Sequence, residues 1–308
     1  MTLRVGIGPS SFAEEDDAPL RMLAAAGVEV VPNPFGRRLT EDETIAHVRD
    51  LDGLLAGLEP LNRTVLASAK RLKAIARVGI GMSNIDFDAA EEFGVKVSNT
   101  PEGPVQAVAE MTLAGLLALC RNLIPTNAAL HAGQWKKSIG RGLAGARVLL
   151  VGYGRIGQRV GDLLKAFGAR CLVFDPYVED ANVPDDVQSV ATLADGLRQA
   201  EIVTLHASGT EVILDAAAFE VMRHGVLLLN SARGELVDET ALIRALESGK
   251  VAGAWFDAFW NEPYTGRLTE FSQVILTPHV GTYTRECRRD METAAVKNLL
   301  RDLGLAPR

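Results

Sequence analysis

Three polar residues in the second half of the chain have types that suit acid–base chemistry on a small anion. Arg233, Glu262 and His279 each follow a different apolar run that is typical of a buried strand. Ligands bind at the carboxyl ends of parallel strands, where an arginine can bind a carboxylate through two hydrogen bonds. An imidazole whose protonated form is stabilised by a carboxylate suits proton donation to an alkoxide. Considered alone, Arg233 could be a surface arginine and His279 a structural histidine. The placement of all three residues after strands of one sheet favours a catalytic cluster.

A glycine-rich turn, Gly152–Gly157 (GYGRIG), follows an apolar strand pattern and opens an amphipathic helix pattern. Gly152 permits the tight turn, Gly154 leaves room for a pyrophosphate, and Gly157 allows the helix to approach the strand. The helix N-terminus offers amide groups and a positive dipole end to phosphates. Asp175 ends the next strand and can accept hydrogen bonds from ribose hydroxyls while repelling a 2′-phosphate, so the motif predicts NAD rather than NADP. The alternative is a purely structural strand-to-helix turn.

Short β-rich runs alternate with helical patterns and predict a parallel sheet covered by helices. One helix start is marked by Thr40 as N-cap with Glu43 at the capping-box position. The predicted helices are Ala18–Ala26, Glu41–Asp50, Asn62–Lys70, Phe87–Phe93, Pro104–Arg121, Arg155–Phe167 and Arg285–Leu303. The predicted strands are Leu3–Ile7, Val28–Pro32, Gly53–Ala56, Leu72–Val78, Lys96–Ser98, Arg147–Val151, Arg170–Phe174, Glu201–Leu205, Val226–Leu229, Val251–Trp255 and Val274–Leu276.

The 308 residues suggest two domains. The long helical pattern Pro104–Arg121 is interpreted as the connection that leaves the first domain, and Gly115 lies on its apolar face. The glycine- and charge-rich stretch His131–Gly145 is predicted to lie between the domains, and a new βα series opens at Ala146. The last helix, Arg285–Leu303, has no strand after it, and we expect it to pack on the first domain.

Composition excludes several functional classes. With 47% hydrophobic and 23% charged residues, the chain is globular, and its net charge of −7 argues against nucleic-acid binding. Cys120, Cys171 and Cys287 are widely spaced and form no CxxC pair, which favours a reducing cytoplasm. No cluster has metal-ligand spacing, no signal peptide is recognised, and no apolar run approaches the roughly 20 residues of a membrane span.

Several motifs together resemble the D-isomer-specific 2-hydroxyacid dehydrogenase family, in its D-3-phosphoglycerate dehydrogenase-like branch. The resemblance covers nearly the whole chain and is specific as a combination. The motifs are Arg77–Gly81, Asn84–Asp86, Asn99–Pro101, Val108–Glu110, the GYGRIG turn, Asn230–Glu239, Gly253 through Asp257, Glu262-Pro263 and Thr277–Gly281.

The resemblance implies an α/β fold of two Rossmann/flavodoxin-like doubly wound parallel-sheet domains, with the cofactor domain inserted into the substrate domain. The substrate domain would comprise residues 1–98 and 284–308, and the NAD-binding domain residues 99–283. A homodimer built largely from cofactor-domain surfaces, including the helix from Pro104, is implied too.

The resemblance also assigns roles to residues. His279 would be the general acid/base, Glu262 would hold its imidazole, and Arg233 would bind and orient a 2-oxo acid. Asp257 would hold the nicotinamide carboxamide. Val78 and Gly79 would offer backbone N–H groups to the substrate carboxylate. The implied substrate contacts are Arg77, Val78, Gly79 and Arg233, and the implied NAD contacts are Ile80, Gly152, Gly154, Arg155, Ile156, Gly157, Asp175, His206, Ala207, Ser231, Ala232, Asp257 and Gly281.

The chain departs from the family pattern at Ser83, where an aspartate is usual, and at Leu205–Ser208, which lacks the usual His-x-Pro-Leu run. We expect no regulatory domain after Arg308, so that a phosphoglycerate enzyme of this type would be a short form. Arg77 is interpreted either as a contact for a phosphate or second carboxylate, or as a surface arginine. With Arg233 it would attract an anionic substrate against the unfavourable net charge.

The leading hypothesis is therefore an NAD-dependent enzyme that interconverts a small D-2-hydroxy acid and its 2-oxo acid. Alternatives of the same class are a glyoxylate/hydroxypyruvate reductase and a phosphite-type dehydrogenase. An alternative of another class is a non-enzymatic NAD(H)-sensing protein on the same fold.

Overall fold

A computed structural model describes residues 2–179 and 183–305. The chain divides into two compact units, and the second is inserted into the first along the sequence. Unit 1 comprises Met1–Pro104 and Thr282–Arg308, and unit 2 comprises Val105–Gly281. The sequence prediction set these boundaries at 98/99 and 283/284. Residues 1, 180–182 and 306–308, which belong to the predicted domains, lie outside the described residues.

Unit 1 is built on a five-stranded parallel sheet of order β2-β1-β3-β4-β5. The last helix, α11, belongs to this unit and packs against α1, β3 and β4. The elements are β1 (Arg4–Ile7), α1 (Ala18–Ala25), β2 (Glu29–Val31), α2 (Glu41–Val48), β3 (Gly53–Ala56), α3 (Arg63–Ser68), β4 (Ala74–Arg77), α4 (Phe87–Glu92), β5 (Lys96–Ser98) and α11 (Arg285–Asp302).

Unit 2 is built on a seven-stranded parallel sheet of order β12-β11-β10-β9-β6-β7-β8. Strand order reverses beside β6, which is the position where open α/β sheets bind ligands. The elements are α5 (Pro104–Cys120, whose first residue closes unit 1), α6 (Leu123–His131), β6 (Arg147–Val151), α7 (Arg155–Ala166), β7 (Arg170–Phe174), β8 (Gln188–Ser189), α8 (Leu193–Gln199), β9 (Ile202–Leu205), α9 (Ala216–Val221), β10 (Val226–Asn230), α10 (Glu239–Glu247), β11 (Val251–Phe256) and β12 (Val274–Leu276).

Both sheets are covered by helices, and their central strands are buried on both faces. Every residue of β3, β4 and β10 is buried, which explains why these strands read as continuous apolar runs. Two local signals are confirmed as well. Thr40 and Glu43 form the predicted capping box at the start of α2. On α5, a Cβ at Gly115 would come within 2.6 Å of the Trp255 ring, so glycine allows the predicted close packing.

Two sequence interpretations need correction or extension. The stretch His131–Gly145 does not lie between the units, because it falls inside unit 2. Helix α6 was not predicted, and none of its residues is buried, so it has no inward apolar face to signal it. Among the described residues no single helix is long and apolar enough to cross a membrane, although α5 and α6 pass that test jointly across a 63° bend.

Candidate functional site

The central feature of unit 2 is an ion-pair geometry between His279 and Glu262. Nδ1 of His279 lies 2.9 Å from Oε1 and 3.0 Å from Oε2 of Glu262. Since a carboxylate only accepts, Nδ1 carries the proton in this bond and the ring orientation is fixed. Nε2 makes no hydrogen bond within the described part of the chain, and the His279 side chain is 33% exposed. The imidazole therefore presents one nitrogen outward, as a general acid/base requires.

Glu262 is itself held by the loop that follows β11. Its Oε1 also accepts the amide of Phe259 at 3.2 Å. The two parallel neighbours β11 and β12 deliver Glu262 and His279 to the same end of the sheet. Strand order thus brings together two residues that are separated by a long loop in sequence.

The segment Thr277–Gly281 is held by Asp257, which is only 2% exposed. Its Oδ1 accepts the Thr277 hydroxyl at 2.6 Å and the Val280 amide at 2.9 Å, while Oδ2 accepts the Gly281 amide at 2.7 Å. His279 sits within this segment in a left-handed conformation with φ of 55°. For a non-glycine residue that conformation is uncommon and needs support from its surroundings.

Arg233 follows β10 and is positioned by the side chain of Asn230, which is fully buried. The Asn230 amide group donates to the Arg233 carbonyl at 2.7 Å, and its oxygen accepts the Ala232 amide at 3.0 Å. The Arg233 guanidinium is half-buried and donates to the Ala232 carbonyl at 2.7 Å. The turn after β10 therefore has a defined shape that carries the arginine at the strand's carboxyl end.

The GYGRIG turn has the close approaches that its glycines predict. Gly152 has φ of 92°, and a Cβ there would come within 2.5 Å of the Ala207 amide nitrogen. A Cβ on Gly157 would collide with the Gly152 carbonyl oxygen, whereas the space beside Gly154 is open. Gly154 is the N-cap of α7 and supplies no capping side chain. The first amides of α7 therefore face an open, uncapped position that fits a pyrophosphate.

Asp175 stands at the end of β7, beside this turn. Its Oδ2 accepts the Tyr153 amide at 2.7 Å and its Oδ1 accepts the Tyr177 amide at 2.9 Å. Each oxygen keeps a second lone pair, which a ribose hydroxyl can use. A carboxylate in this place also disfavours a 2′-phosphate, so the residues present fit NAD.

The loop after β9 approaches the same turn. Desolvation of the His206 ring by its surroundings lowers its pKa to about 3, and Nε2 lies 2.9 Å from Thr204 Oγ1. Its buried Nδ1 has no partner among the described residues. Ala207 contacts Gly152 as described above. On the next strand, Ser231 Oγ lies 3.3 Å from Thr112 Oγ1 of α5. The predicted residues from the turn and from the loops after β7 and β9 therefore gather at one end of the sheet.

The remaining predicted residues belong to unit 1, at the carboxyl end of β4. The Val78 amide donates to the Ala56 carbonyl at 2.9 Å, and the Gly79 amide donates to the Thr100 hydroxyl at 2.8 Å. Both amides predicted for a substrate carboxylate are thus engaged inside the unit. The guanidinium of Arg77 bonds to the Val78 carbonyl, and Arg77 is only 8% exposed. The Ile80 carbonyl accepts from the Asn99 side chain at 2.9 Å.

The structure adds two side chains to the predicted site, Thr277 and Trp255. Trp255 is fully buried and its Nε1 donates to Thr277 Oγ1 at 3.1 Å, and that hydroxyl donates in turn to Asp257. The sequence motif contained Thr277, but nothing in its spacing indicated a link to Trp255. Among the described residues no group of His, Cys, Asp and Glu is arranged to hold a metal ion.

Comparison with known proteins identifies a family model and several proteins that are similar to this chain. Residues 113–281 match the family model described as "D-isomer specific 2-hydroxyacid dehydrogenase, NAD binding domain". The chain is 39% identical over 251 residues to D-3-phosphoglycerate dehydrogenase of Mycobacterium leprae, covering 79% of this chain and 48% of that protein. It therefore spans about half the length of that relative. It is 33% identical over 277 residues to hydroxypyruvate reductase of Thermotoga maritima, covering 87% of this chain and 90% of that protein.

A solved structure, the TT0316 protein from Thermus thermophilus, superposes with a TM-score of 0.89 at 33% identity. The superposition covers 99% of this chain and 98% of that one. The likeness extends over both units and supports the two-domain parallel-sheet fold that the sequence predicts.

Proposed function

Because this chain belongs to the D-isomer specific 2-hydroxyacid dehydrogenase family, we propose that it interconverts a small D-2-hydroxy acid and its 2-oxo acid with NAD as cofactor. The observation that carries the proposal is the His279–Glu262 pair at 2.9 Å, at the carboxyl end of the same parallel sheet that carries a glycine turn fitting a dinucleotide. The hydroxypyruvate reductase relative is matched over 90% of its length, which supports the same class of reaction.

The proposed mechanism assigns one task to each side chain. When bound, NADH would supply the hydride for the carbonyl carbon. Nε2 of His279 donates the proton to the carbonyl oxygen, and accepts it in the reverse direction. Glu262 holds Nδ1 and stabilises the imidazolium by charge. Arg233 binds the carboxylate of the acid and orients its carbonyl.

NAD would be held by unit 2. The first amides of α7, beginning at Arg155 and Ile156, would bind the pyrophosphate, and Asp175 the ribose hydroxyls. Ser231, Ala232 and Gly281 are proposed to line the nicotinamide side. Asp257 accepts the Gly281 amide, and Gly281 belongs to the loop that carries His279. We therefore propose that Asp257 positions this loop in addition to contacting the cofactor.

The test is NADH oxidation measured by absorbance with a panel of 2-oxo acids. We expect turnover with at least one unphosphorylated acid, and a loss of at least about 10³-fold in kcat for His279→Ala, at nearly unchanged NADH affinity. Arg233→Gln should raise KM far more than it changes NADH affinity. Tight NADH binding without turnover of any acid would instead support a non-enzymatic NAD(H) sensor.

We also propose that the chain forms a homodimer through unit 2. Helix α6 buries none of its residues, and the segment after it exposes Trp135 by 82% and Ile139 by 99%. A nine-residue helix without an internal partner face is marginal alone, and exposed apolar side chains of this kind mark an interface. Sedimentation should give a dimer mass that Ile139→Asp reduces to a monomer mass. Val212→Asp, a change at another exposed apolar residue, should have no effect.

A cytoplasmic location is proposed from the thiols. Cys120, Cys171 and Cys287 are all free and buried, and burial raises the pKa of Cys171 and of Cys287 to about 11. Such thiols behave as small apolar side chains and suit a reducing compartment. Fractionation of the native host would test this, with recovery in an oxidising compartment contradicting it.

A further inference from the structure

Two segments of unit 2 carry residues that the proposed mechanism uses, and their backbones are in close contact. The arginine turn (residues 230–238) follows β10 and carries Arg233, and the glutamate loop (residues 257–264) follows β11 and carries Glu262. A Cβ on Gly234 would come within 2.3 Å of the Trp260 amide nitrogen. Because that atom belongs to the backbone, glycine is needed for the approach. The residue after Arg233 is therefore packed directly on the glutamate loop.

A hydrogen bond from an indole group joins the two segments at a second point. Nε1 of Trp260 donates to the Val237 carbonyl at 2.8 Å, and Val237 is fully buried. The Val237 amide donates in turn to the Gly234 carbonyl at 3.0 Å, so Val237 closes the short turn that begins at Gly234. The Trp260 side chain thus reaches from the glutamate loop to the far end of the arginine turn.

Tyr264 holds the other end of the glutamate loop. Its hydroxyl donates to Oε1 of Glu239 at 2.5 Å and accepts the Leu268 amide at 3.2 Å. Glu239 is the first residue of α10, which directly follows the arginine turn. Burial raises the pKa of Tyr264 to about 12, and the hydrogen bond to Glu239 acts in the same direction. The phenol therefore keeps its proton, and with it this contact, throughout the neutral pH range.

The aromatic rings of the glutamate loop also contact one another. The rings of Phe259 and Tyr264 are stacked with centroids 4.7 Å apart, and the centroids of Trp260 and Tyr264 are 6.1 Å apart. The Phe259 amide donates to Oε1 of Glu262, which is the oxygen that lies 2.9 Å from Nδ1 of His279. A displacement of these rings would therefore move the carboxylate that orients the imidazole.

The proposed reaction requires such a connection. Arg233 would hold the carboxylate of the acid while His279 reaches its carbonyl oxygen, and a misplacement of about 1 Å can cost about a hundredfold in rate. The pairing of β10 with β11 ends at Asn230 and Phe256, so both segments lie beyond the last ladder hydrogen bonds. Side-chain contacts must therefore fix their relative position.

We propose that Trp260 and Tyr264 are positioning residues that hold the glutamate loop against the arginine turn. They thereby set the place of the proton donor relative to the arginine that binds the substrate carboxylate. The inference rests on the proposed function and deepens it. The two aromatic residues act through Arg233 and Glu262 and are assigned no contact with substrate or cofactor.

The test is a double-mutant cycle between Trp260→Phe and Arg233→Gln. Trp260→Phe keeps an aromatic ring and removes the N–H donor to Val237. In the wild-type background we expect kcat/KM for the best 2-oxo acid to fall about fivefold or more, at nearly unchanged NADH affinity. In the Arg233→Gln background the same change should lower kcat/KM by less than about twofold, because the arginine that Trp260 positions is absent.

Lys250→Met is the matched control for a loss of stability alone. Nζ of Lys250 donates to the Met222 carbonyl at 2.8 Å, at the amino end of β11 and thus at the opposite end of this strand from the glutamate loop. Like Trp260→Phe, this change removes a side-chain donor to a backbone carbonyl. It should lower the midpoint of urea unfolding without lowering kcat/KM in either background.

The outcomes separate the inference from the proposed function. An equal fall in kcat/KM in both backgrounds, an unchanged kcat/KM in Trp260→Phe, or an equal fall in Lys250→Met would overturn the inference and leave the proposed function standing. If Trp260→Phe does not fold, Tyr264→Phe, which removes the bond to Glu239, replaces it in the cycle with the same expected results. Absence of turnover by the wild type with every 2-oxo acid would reject the proposed function, and the inference with it.

Discussion

The carboxylate of Asp257 accepts the amide of Gly281 at 2.7 Å, and this contact fixes one end of the loop that carries His279. A Cβ on Gly281 would come within 2.9 Å of the same oxygen, so glycine is required for the approach. The other oxygen holds Thr277 and Val280. One buried carboxylate therefore maintains the left-handed backbone on which the proposed acid/base stands.

Replacing this carboxylate by an amide should disturb the loop. In Asp257→Asn one acceptor oxygen becomes a donor that faces another donor, and hydrogen bonds to a charged group contribute about 1.5–3 kcal/mol. We expect kcat to fall roughly 10- to 100-fold, because about 1.4 kcal/mol is one factor of ten. Stopped-flow and steady-state assays with the best 2-oxo acid would measure it, and Asp162→Asn, at an exposed carboxylate of α7, serves as the matched control. A variant with full kcat and weaker NADH binding alone would limit Asp257 to cofactor contact.

The Glu262–His279 pair predicts a separate effect on proton transfer. Glu262→Gln keeps an acceptor oxygen for Nδ1 but loses the charge that stabilises the imidazolium. We expect kcat for 2-oxo acid reduction to fall about 10- to 100-fold, because a hydrogen bond to a charged group contributes more than one to a neutral group. Steady-state kcat with the best 2-oxo acid checks this, with Glu247→Gln, an exposed partner of Arg267, as control. An unchanged kcat in a folded variant would contradict the role.

Cofactor choice should depend on Asp175. In Asp175→Ser the ribose acceptor becomes weaker and the repulsion of a 2′-phosphate disappears, while an oxygen remains near the Tyr153 amide. The ratio of kcat/KM for NADH over NADPH should decrease by about tenfold or more. Asp186→Ser, at an exposed carboxylate that pairs with Lys165, should not change it. A ratio that stays constant would mean that another group excludes the 2′-phosphate.

Desolvation of the His206 ring predicts a pH dependence of stability. Its pKa falls from 6.5 to about 3 in the folded chain, so the unfolded chain binds the extra proton first as pH decreases. The contribution of this group is complete above pH 6.5 and is lost as pH falls towards 3. Between about pH 7 and pH 5 the loss should be about 2 kcal/mol in the free energy of unfolding.

Chemical denaturation at both pH values would measure this loss. The difference in the free energy of unfolding between the two pH values should shrink in His206→Gln. It should persist in His131→Gln, since His131 is exposed at the end of α6. If His206→Gln retains the full difference, another buried group is responsible, and His47, whose pKa burial also lowers, would be the next to vary.

Much of the fold and site was predictable because its signals are local. The capping box at Thr40 and Glu43, the close glycine packing at Gly115 and the GYGRIG turn each depend on a few neighbouring residues. Helix α6 escaped prediction because a helix that buries nothing within its own chain shows no amphipathic pattern. The stretch after it was misplaced between domains for a related reason, since glycine and charge mark a loop without saying which unit it belongs to.

The sequence by itself determined that Arg233, Glu262 and His279 each follow a strand, and that a dinucleotide turn opens α7. Only the tertiary structure decided that Glu262 meets Nδ1 of His279, since that contact depends on β11 and β12 being neighbours. Tertiary structure likewise decided that the Arg77 guanidinium turns back onto the Val78 carbonyl and is only 8% exposed. The physical reason is that the role of a charged side chain depends on the partners that the fold places beside it, and the neighbours of a strand are not written in local sequence patterns.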